Sequence, residues 1–216
     1  MLRLKRRHLA SVLTKTQKVS SESCSERYFC NLANEANSKR PCLKRLCMKT
    51  KTAKESLSIS TDLVLPSDTN ALNGMFGGEL LSRMDRVCCI AAQRHSAQIA
   101  VTVAVNHVAF NKTVPIGSTV TIAAKVSRAF GTSMEIYADV WIEDRFSGHK
   151  TKVNEGIYTF VALGADGEKI TVPKLFPETD LEKERFEAAL RRRQLSLVLS
   201  GKLKAADATE LKSLFV

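Results

Sequence analysis

Between Pro66 and Asp85 the chain reads PSDTNALNGMFGGELLSRMD, and four of its residues have the types and order that acyl chemistry needs. Asn70 brings an amide within a polar turn. Gly77 and Gly78 bring two positions without side chains where a helix should begin, so a ligand can approach the backbone N–H groups that a first helical turn leaves unpaired. Such donors suit an oxyanion developing on a carbonyl. Asp85 brings a carboxylate about two turns further on, beyond the reach of the helix dipole, where burial is costly unless something uses the charge. Partial burial would strengthen it as a general base, and the set fits transfer of an acyl group to water. Each residue also fits a structural part: the glycines a helix-entry turn, Asn70 an Asx-turn or N-cap, Asp85 a buried hydrogen-bonded acid.

The element that must carry Asp85 is a long helix from Phe76 to about His95. At about 100° per residue, Leu81, Met84, Cys88 and Ala91 line one apolar stripe with Asp85 at its edge. Cys88 joins that stripe as a small buried residue. As a nucleophile it would need a base, and the sequence offers only His95, on the same helix face.

A strand candidate from Leu57 to Leu65 precedes the helix. Four more follow: Ile99 to Phe110, Thr119 to Phe130, Ser133 to Asp144 and Lys152 to Leu163. The tight turns between the later strands, at Pro115-Ile116-Gly117, Gly131-Thr132 and Ser147-Gly148, leave no room for crossovers, so the neighbours are antiparallel. The fold class is α+β, with the sheet wrapped around one central helix. One helix cannot cover both faces of a sheet. The simplest second cover is a dimer, including one with the sheets joined edge to edge. Beyond Pro173 a helix over Glu178 to Arg193 has acids first and arginines last, matching its dipole, and a short helix spans Ala205 to Leu214. These read as peripheral helices; the Arg191-Arg192-Arg193 cluster would suit phosphate, but the helix's own acids nearly balance it. The organisation is a basic extension over 1–56, a domain over 57–173 and a helical extension over 174–216.

The net charge of +11 is unevenly placed. Residues 1–60 carry 14 Lys/Arg against four Asp/Glu, whereas residues 61–216 carry 19 against 18. A nucleic-acid signal in the domain itself is thereby excluded, and in the tail only Tyr28 and Phe29 could stack on bases. The tail is rich in Ser, Thr, Lys and Arg with no acid before Glu22, which is organelle-transit composition, although a solvated extension without an address has the same look. The location expected is the mitochondrion, with plastid or cytoplasm as alternatives. No apolar run approaches the ~18 residues of a membrane span, so the expectation is a soluble mature protein with no stable membrane insertion. Cys24, Cys30, Cys42 and Cys47 lack the spacing and the paired histidines of a zinc site and read as free thiols.

In combination, PSDTN, GGELLSRMD, the strand VTVAVNHVAF, the turn VPIGSTV and KVSRAFGTSMEI resemble the hotdog-fold acyl-CoA thioesterases. The likeness is to the bacterial single-domain enzymes and the tandem-domain brain-type acyl-CoA hydrolase, over about Leu57 to Pro173. It implies hydrolysis of acyl-CoA to free fatty acid and CoA without metal or cofactor. By position, Asp85 would activate water or attack the thioester, Asn70 would help hold nucleophile or substrate, and the backbone of Gly77 and Gly78 would polarise the carbonyl. The site would form across a homodimer, with trimers of dimers common. Arg128 would be the best candidate for the CoA phosphates, since its fork suits them; Lys125, Lys150 and Lys152 are weaker ones. The chain holds one hotdog repeat where the tandem enzyme has two, so each subunit carries both catalytic positions, favouring two sites per dimer. No histidine stands at the helix start, as a dehydratase would suggest, and His107 in a strand reads as a core or interface residue. The rival from another class is a non-catalytic acyl-CoA-binding or regulatory hotdog protein, for which the paired Asn70 and Asp85 would be superfluous.

Overall fold

The computed structural model describes residues 50–213. The readings of the basic tail up to residue 49 and of its four cysteines lie outside the described residues. The chain opens with β1 (Lys51–Thr52) and β2 (Ser58–Leu63), and the central helix α1 is Gly77–Ser96. Then come β3 (Ile99–Phe110), β4 (Thr119–Phe130), β5 (Ser133–Glu143), β6 (Lys150–Leu163), β7 (Leu175–Phe176), α2 (Asp180–Leu199) and α3 (Thr209–Lys212). Five strands form one antiparallel sheet in the order β2-β4-β5-β6-β3, while β1 and β7 pair in parallel beside it. Strand alternation places Val120, Ile122, Ala124 and Val126 of β4 and Met134, Ile136, Ala138 and Val140 of β5 in the core with α1. Gly156 of β6 lets the helix come close: a Cβ there would stand 2.5 Å from Met84 Cε and 3.0 Å from Tyr158 Cε2.

The apolar stripe of α1 is turned by one residue from the sequence expectation. Leu80 is buried with Met84, Val87, Cys88 and Ala91, whereas Leu81 is only partly buried. Leu81 shares a helical row with Asp85 and Cys89, and this row faces β3 and β6. The Tyr158 hydroxyl donates to the Leu81 carbonyl at 3.3 Å, and Cys89 Sγ approaches the Ala100 carbonyl at 3.5 Å.

On the far face of the sheet the chain's own α2 packs against β4 and β5, as a peripheral helix. Thr179 and Glu182 cap that helix reciprocally. It runs six residues past the expected Arg193, because Leu195, Leu197, Val198 and Leu199 contain no breaker before Gly201, which takes φ +69°. Charged side chains dominate its contact with the sheet. Glu135 of β5, 3% exposed, accepts from Arg192 Nη2 at 2.7 Å and Nε at 3.0 Å and from Ser127 Oγ at 2.7 Å. Arg185 pairs with Asp139 at 2.9 Å and stacks on the Tyr137 ring at 3.7 Å. The expected second short helix is a 3-10 turn over Ala205–Asp207 followed by α3.

Cys88 and His95 are interior groups. Cys88 has no exposure, and burial pushes its thiol well up, with the nearby Asp85 charge adding to the effect. His95 is fully buried and desolvation lowers its pKa, while Nε2–H donates to the Pro173 carbonyl at 2.8 Å. The two residues stand seven positions apart, about 10 Å along the axis, so they make no thiol–imidazole pair. Cys88 should therefore stay unlabelled by iodoacetamide at pH 8 until the protein is unfolded, as mapped by peptide mass; rapid native labelling would contradict its burial. Arg192→Ala, which leaves the Glu135 charge buried and unpaired, should lower stability by about 3 kcal/mol in urea unfolding. Replacing both partners by Leu and Met should recover most of that loss.

Candidate active site

The loop before α1 is tied down by carboxylate and amide side chains. Asp68 Oδ2 accepts from Leu65 N at 2.8 Å and from Arg83 Nη2 at 2.7 Å, while the Asp68 carbonyl accepts from Phe76 N at 2.8 Å. The Leu65 hydrogen bond, helped by the Arg83 charge, holds the Asp68 carboxyl below its usual range. Asn70 Oδ1 accepts from Leu72 N at 2.9 Å and Gly74 N at 3.2 Å, which is the Asx-turn the sequence allowed. Because two backbone N–H groups fix the oxygen, the Asn70 Nδ2 donor is turned the other way. It has no acceptor among the described residues. Gly74 stands close to the neighbouring loop: a Cβ would meet Thr113 Cγ2 at 2.5 Å, so that side chain would have to shift.

This bracing leaves the start of α1 open. Its N-cap is Phe76, which has no side-chain acceptor, and the first helical hydrogen bond is Leu80 N to the Phe76 carbonyl. Among the described residues, the N–H groups of Gly77, Gly78 and Glu79 therefore meet no acceptor. Gly78 is exposed, and a Cβ on it would meet nothing within 4 Å. The helix presents free donors and the positive end of its dipole to whatever lies above the two glycines.

Asp85 lies eight residues after Gly77, about 12 Å along the axis. It is half-buried, and its Oδ1 accepts from Thr102 Oγ1 of β3 at 2.7 Å. That bond orients the carboxylate and leaves Oδ2 without a partner among the described residues. Thr102 did not stand out in the sequence. The only signal was its place among Thr102, Ala104 and Asn106, the residues that alternate with the valines of β3, and the structure turns the two sets in an unexpected way. Val101, Val103 and Val105 are exposed on this edge strand, and the register of β3 on β6 slips between Thr102 and Ala104 and again between Val105 and His107.

Arg128 and Lys125 lie on the opposite face of the sheet, against α2. Arg128 Nη1 donates to the Phe186 carbonyl at 2.8 Å with its guanidinium over the Phe186 ring at 4.0 Å, and desolvation lowers its pKa. Lys125 pairs with Glu182 at 2.9 Å. Lys152 bridges Asp139 and Glu155 at 2.6 Å each, and Lys150 meets Glu143 at 3.4 Å. One chain thus brings Asn70, Gly77, Gly78 and Asp85 to a single helix and its entry loop and does not bring the candidate phosphate cations beside them. His107 is exposed on β3. Among the described residues no cluster of three or more His, Cys, Asp or Glu side chains is placed to hold a metal, and no helix is long and apolar enough to cross a membrane.

Comparison with known proteins matches residues 72–146 to the thioesterase superfamily. The chain is 33% identical to the acyl-CoA thioester hydrolase YkhA of Bacillus subtilis over 144 residues, 67% of this chain and 84% of the relative. Among solved structures, an acyl-CoA hydrolase of Staphylococcus aureus in complex with butyryl-CoA and CoA superposes with a TM-score of 0.67 at 32% identity, covering 71% of this chain and 94% of the other. A hexameric acyl-CoA thioesterase superposes with a TM-score of 0.66 at 32% identity, covering 68% and 94%. The Staphylococcus hydrolase has also been solved as alanine variants of an asparagine, of an aspartate 15 positions later and of a threonine 17 positions after that. The same two intervals separate Asn70, Asp85 and Thr102. With this fold and this extent of identity, the chain belongs to the hotdog-fold thioesterase superfamily.

Proposed function

We propose that the protein hydrolyses the thioester of acyl-CoA to a free fatty acid and CoA. The observation that carries this reading is the pairing on one helix of an uncapped start, with three free N–H groups, and a carboxylate oriented by Thr102. In this mechanism the thioester oxygen sits on the N–H groups of Gly77 and Gly78, which stabilise it as attack turns it into an oxyanion. Asp85 takes a proton from water as the water oxygen bonds to the carbonyl carbon, or attacks that carbon itself. The C–S bond then breaks, and the CoA sulfur leaves as a thiolate that takes up a proton. Where Asp85 itself has attacked, a water afterwards cleaves the acyl-aspartyl anhydride to release the fatty acid and restore the carboxylate. Asn70 Nδ2 holds the water or the substrate.

The ~12 Å between Gly77 and Asp85 rules out direct attack by the carboxylate on a carbonyl seated at the start of its own helix. A second copy of the chain supplies the missing half. β3 is an edge strand twelve residues long with Val103 and Val105 half exposed, a surface built to be covered. Pairing of two such edges gives a homodimer, which the hexameric relative supports as the building unit. Every chain then contributes glycines to one site and Asp85 to the other. For Arg128 or Lys125 to hold CoA phosphates, they would have to leave the Phe186 carbonyl and Glu182.

Thiol release from a panel running from acetyl- to palmitoyl-CoA tests this with the full chain. Asp85→Asn should lower kcat by about 10² or more, the loss expected for a general base. Thr102→Val, which removes only the orienting bond, should cost about tenfold in kcat with little change in KM. Absence of hydrolysis across the panel by a folded dimer would refute the reading and favour a binding protein.

A further inference from the structure

Phe110 ends β3, and its ring turns onto the start of α1. A Cβ built on Gly77 would stand 3.3 Å from Phe110 Cζ and 3.5 Å from Cε1, so the ring packs against the glycine itself, whereas Gly78 is bordered by open space. The N-cap Phe76 stands beside the same glycine pair. In the single chain Phe76 is 53% exposed and Phe110 is 54% exposed, so the chain's own fold leaves two large apolar residues next to the free N–H groups uncovered. Across the sheet, Phe110 is followed by buried residues. Its partner across the β3–β6 ladder is Asn154, 1% exposed, and beyond that lies buried Val140 of β5.

A carbonyl oxygen held by the N–H groups of Gly77 and Gly78 brings both substituents of its carbon, the sulfur and the acyl chain, to the borders of these glycines. One must pass the Phe110 ring and the other the open side over Gly78. The pantetheine arm behind the sulfur carries amides that lose hydrogen bonds against a phenyl face. A hydrocarbon chain gains by leaving water there. Resting on the hydrolytic reading above, we propose that Phe110 is a specificity-determining residue: its ring is the wall against which the acyl group packs, and it limits the size of acyl group accepted. The CoA arm leaves past Gly78.

One methylene in an apolar pocket is worth about tenfold or more in discrimination, so a whole ring should be visible in a substrate profile. The test measures kcat/KM across straight-chain substrates from acetyl- to palmitoyl-CoA for the full-length wild type, Phe110→Leu and Phe110→Ala. The ratio of long-chain to short-chain kcat/KM should rise by about tenfold or more in Phe110→Ala and by a smaller step in Phe110→Leu, with the secondary structure intact by circular dichroism. A profile unchanged in shape, or lowered uniformly, in the folded Phe110→Leu protein would overturn the assignment even if Phe110→Ala does not fold. Calorimetric titration of the same acyl-CoAs into Asp85→Asn, with and without Phe110→Leu, reads the pocket without turnover. A wild type that cleaves nothing, combined with a chain-length dependence of binding that Phe110→Leu alters, would refute hydrolysis and sustain the wall. Binding whose chain-length dependence is the same in both proteins overturns the wall alone, and absence of binding together with a wild type that cleaves nothing overturns both.

Discussion

A helix leaves its first backbone N–H groups without partners, and most chains close that end with a Ser, Thr, Asp or Asn cap. Here the cap is Phe76, and the polar residues close by are occupied elsewhere: Asp68 by Leu65 and Arg83, Asn70 by Leu72 and Gly74. The rest of the site depends on those unmet donors. Keeping them open costs helix stability, since an uncapped N-terminus gives up roughly 1 kcal/mol. The burial of α1 between β4, β5 and β6 offsets that cost. The core face of the helix is continuous enough, from Leu80 to Ala92, that its first turn does not need a cap to stay folded.

The same burial explains why the carboxylate sits where it does. An acid on the centre of the stripe, at Met84 or Cys88, would face the sheet interior with nothing to solvate it. Asp85 is one row over, beside Leu81 and Cys89, at the border where the helix passes the edge strand. There a threonine hydroxyl can reach it from β3 and solvent can still approach. α2 plays the complementary part on the other side. It packs on the outer face of β4 and β5 through the Glu135–Arg192 and Asp139–Arg185 pairs. Buried ion pairs of this kind are poor sources of net stability, but they specify a single seat for the helix.

Most of the sheet was legible because strand alternation and turn residues are local signals. β3 and β4 have the predicted bounds, and β5 and β6 differ from them by one and two residues. The helix carboxylate and the paired glycines were legible for a related reason: each breaks a local rule, an acid beside an apolar stripe and glycines inside a helix. What stayed hidden depends on contacts distant in sequence. Thr102 looks like any strand threonine until folding places it against Asp85, and two bulges in β3 decide which of its side chains face the helix. The seat of α2 on β4 and β5 stayed hidden because the ion pairs that fix it, Glu135–Arg192 and Asp139–Arg185, join residues distant in sequence and have no hydrophobic period to betray them. Arg128 looked free for phosphate because its partner Phe186 is recognisable only once α2 is in place.

Two incompletenesses of the single chain meet at β3. The strand offers half-exposed valines and unpaired backbone along the sheet edge, a surface prone to recruit another chain. The proposed chemistry is also incomplete, because oxyanion donors and base lie about two helical turns apart on α1. A rigid helix cannot fold back to join its own two functional points, and lengthening a side chain would not close a gap of that size with the precision a proton transfer needs. An isologous edge contact solves both problems in one step. It would reverse the direction of the second helix, bringing the start of one toward the middle of the other, and would bury the exposed strand in doing so. On this reading the open edge is retained because the two functional points of α1 are of use to each other only between chains.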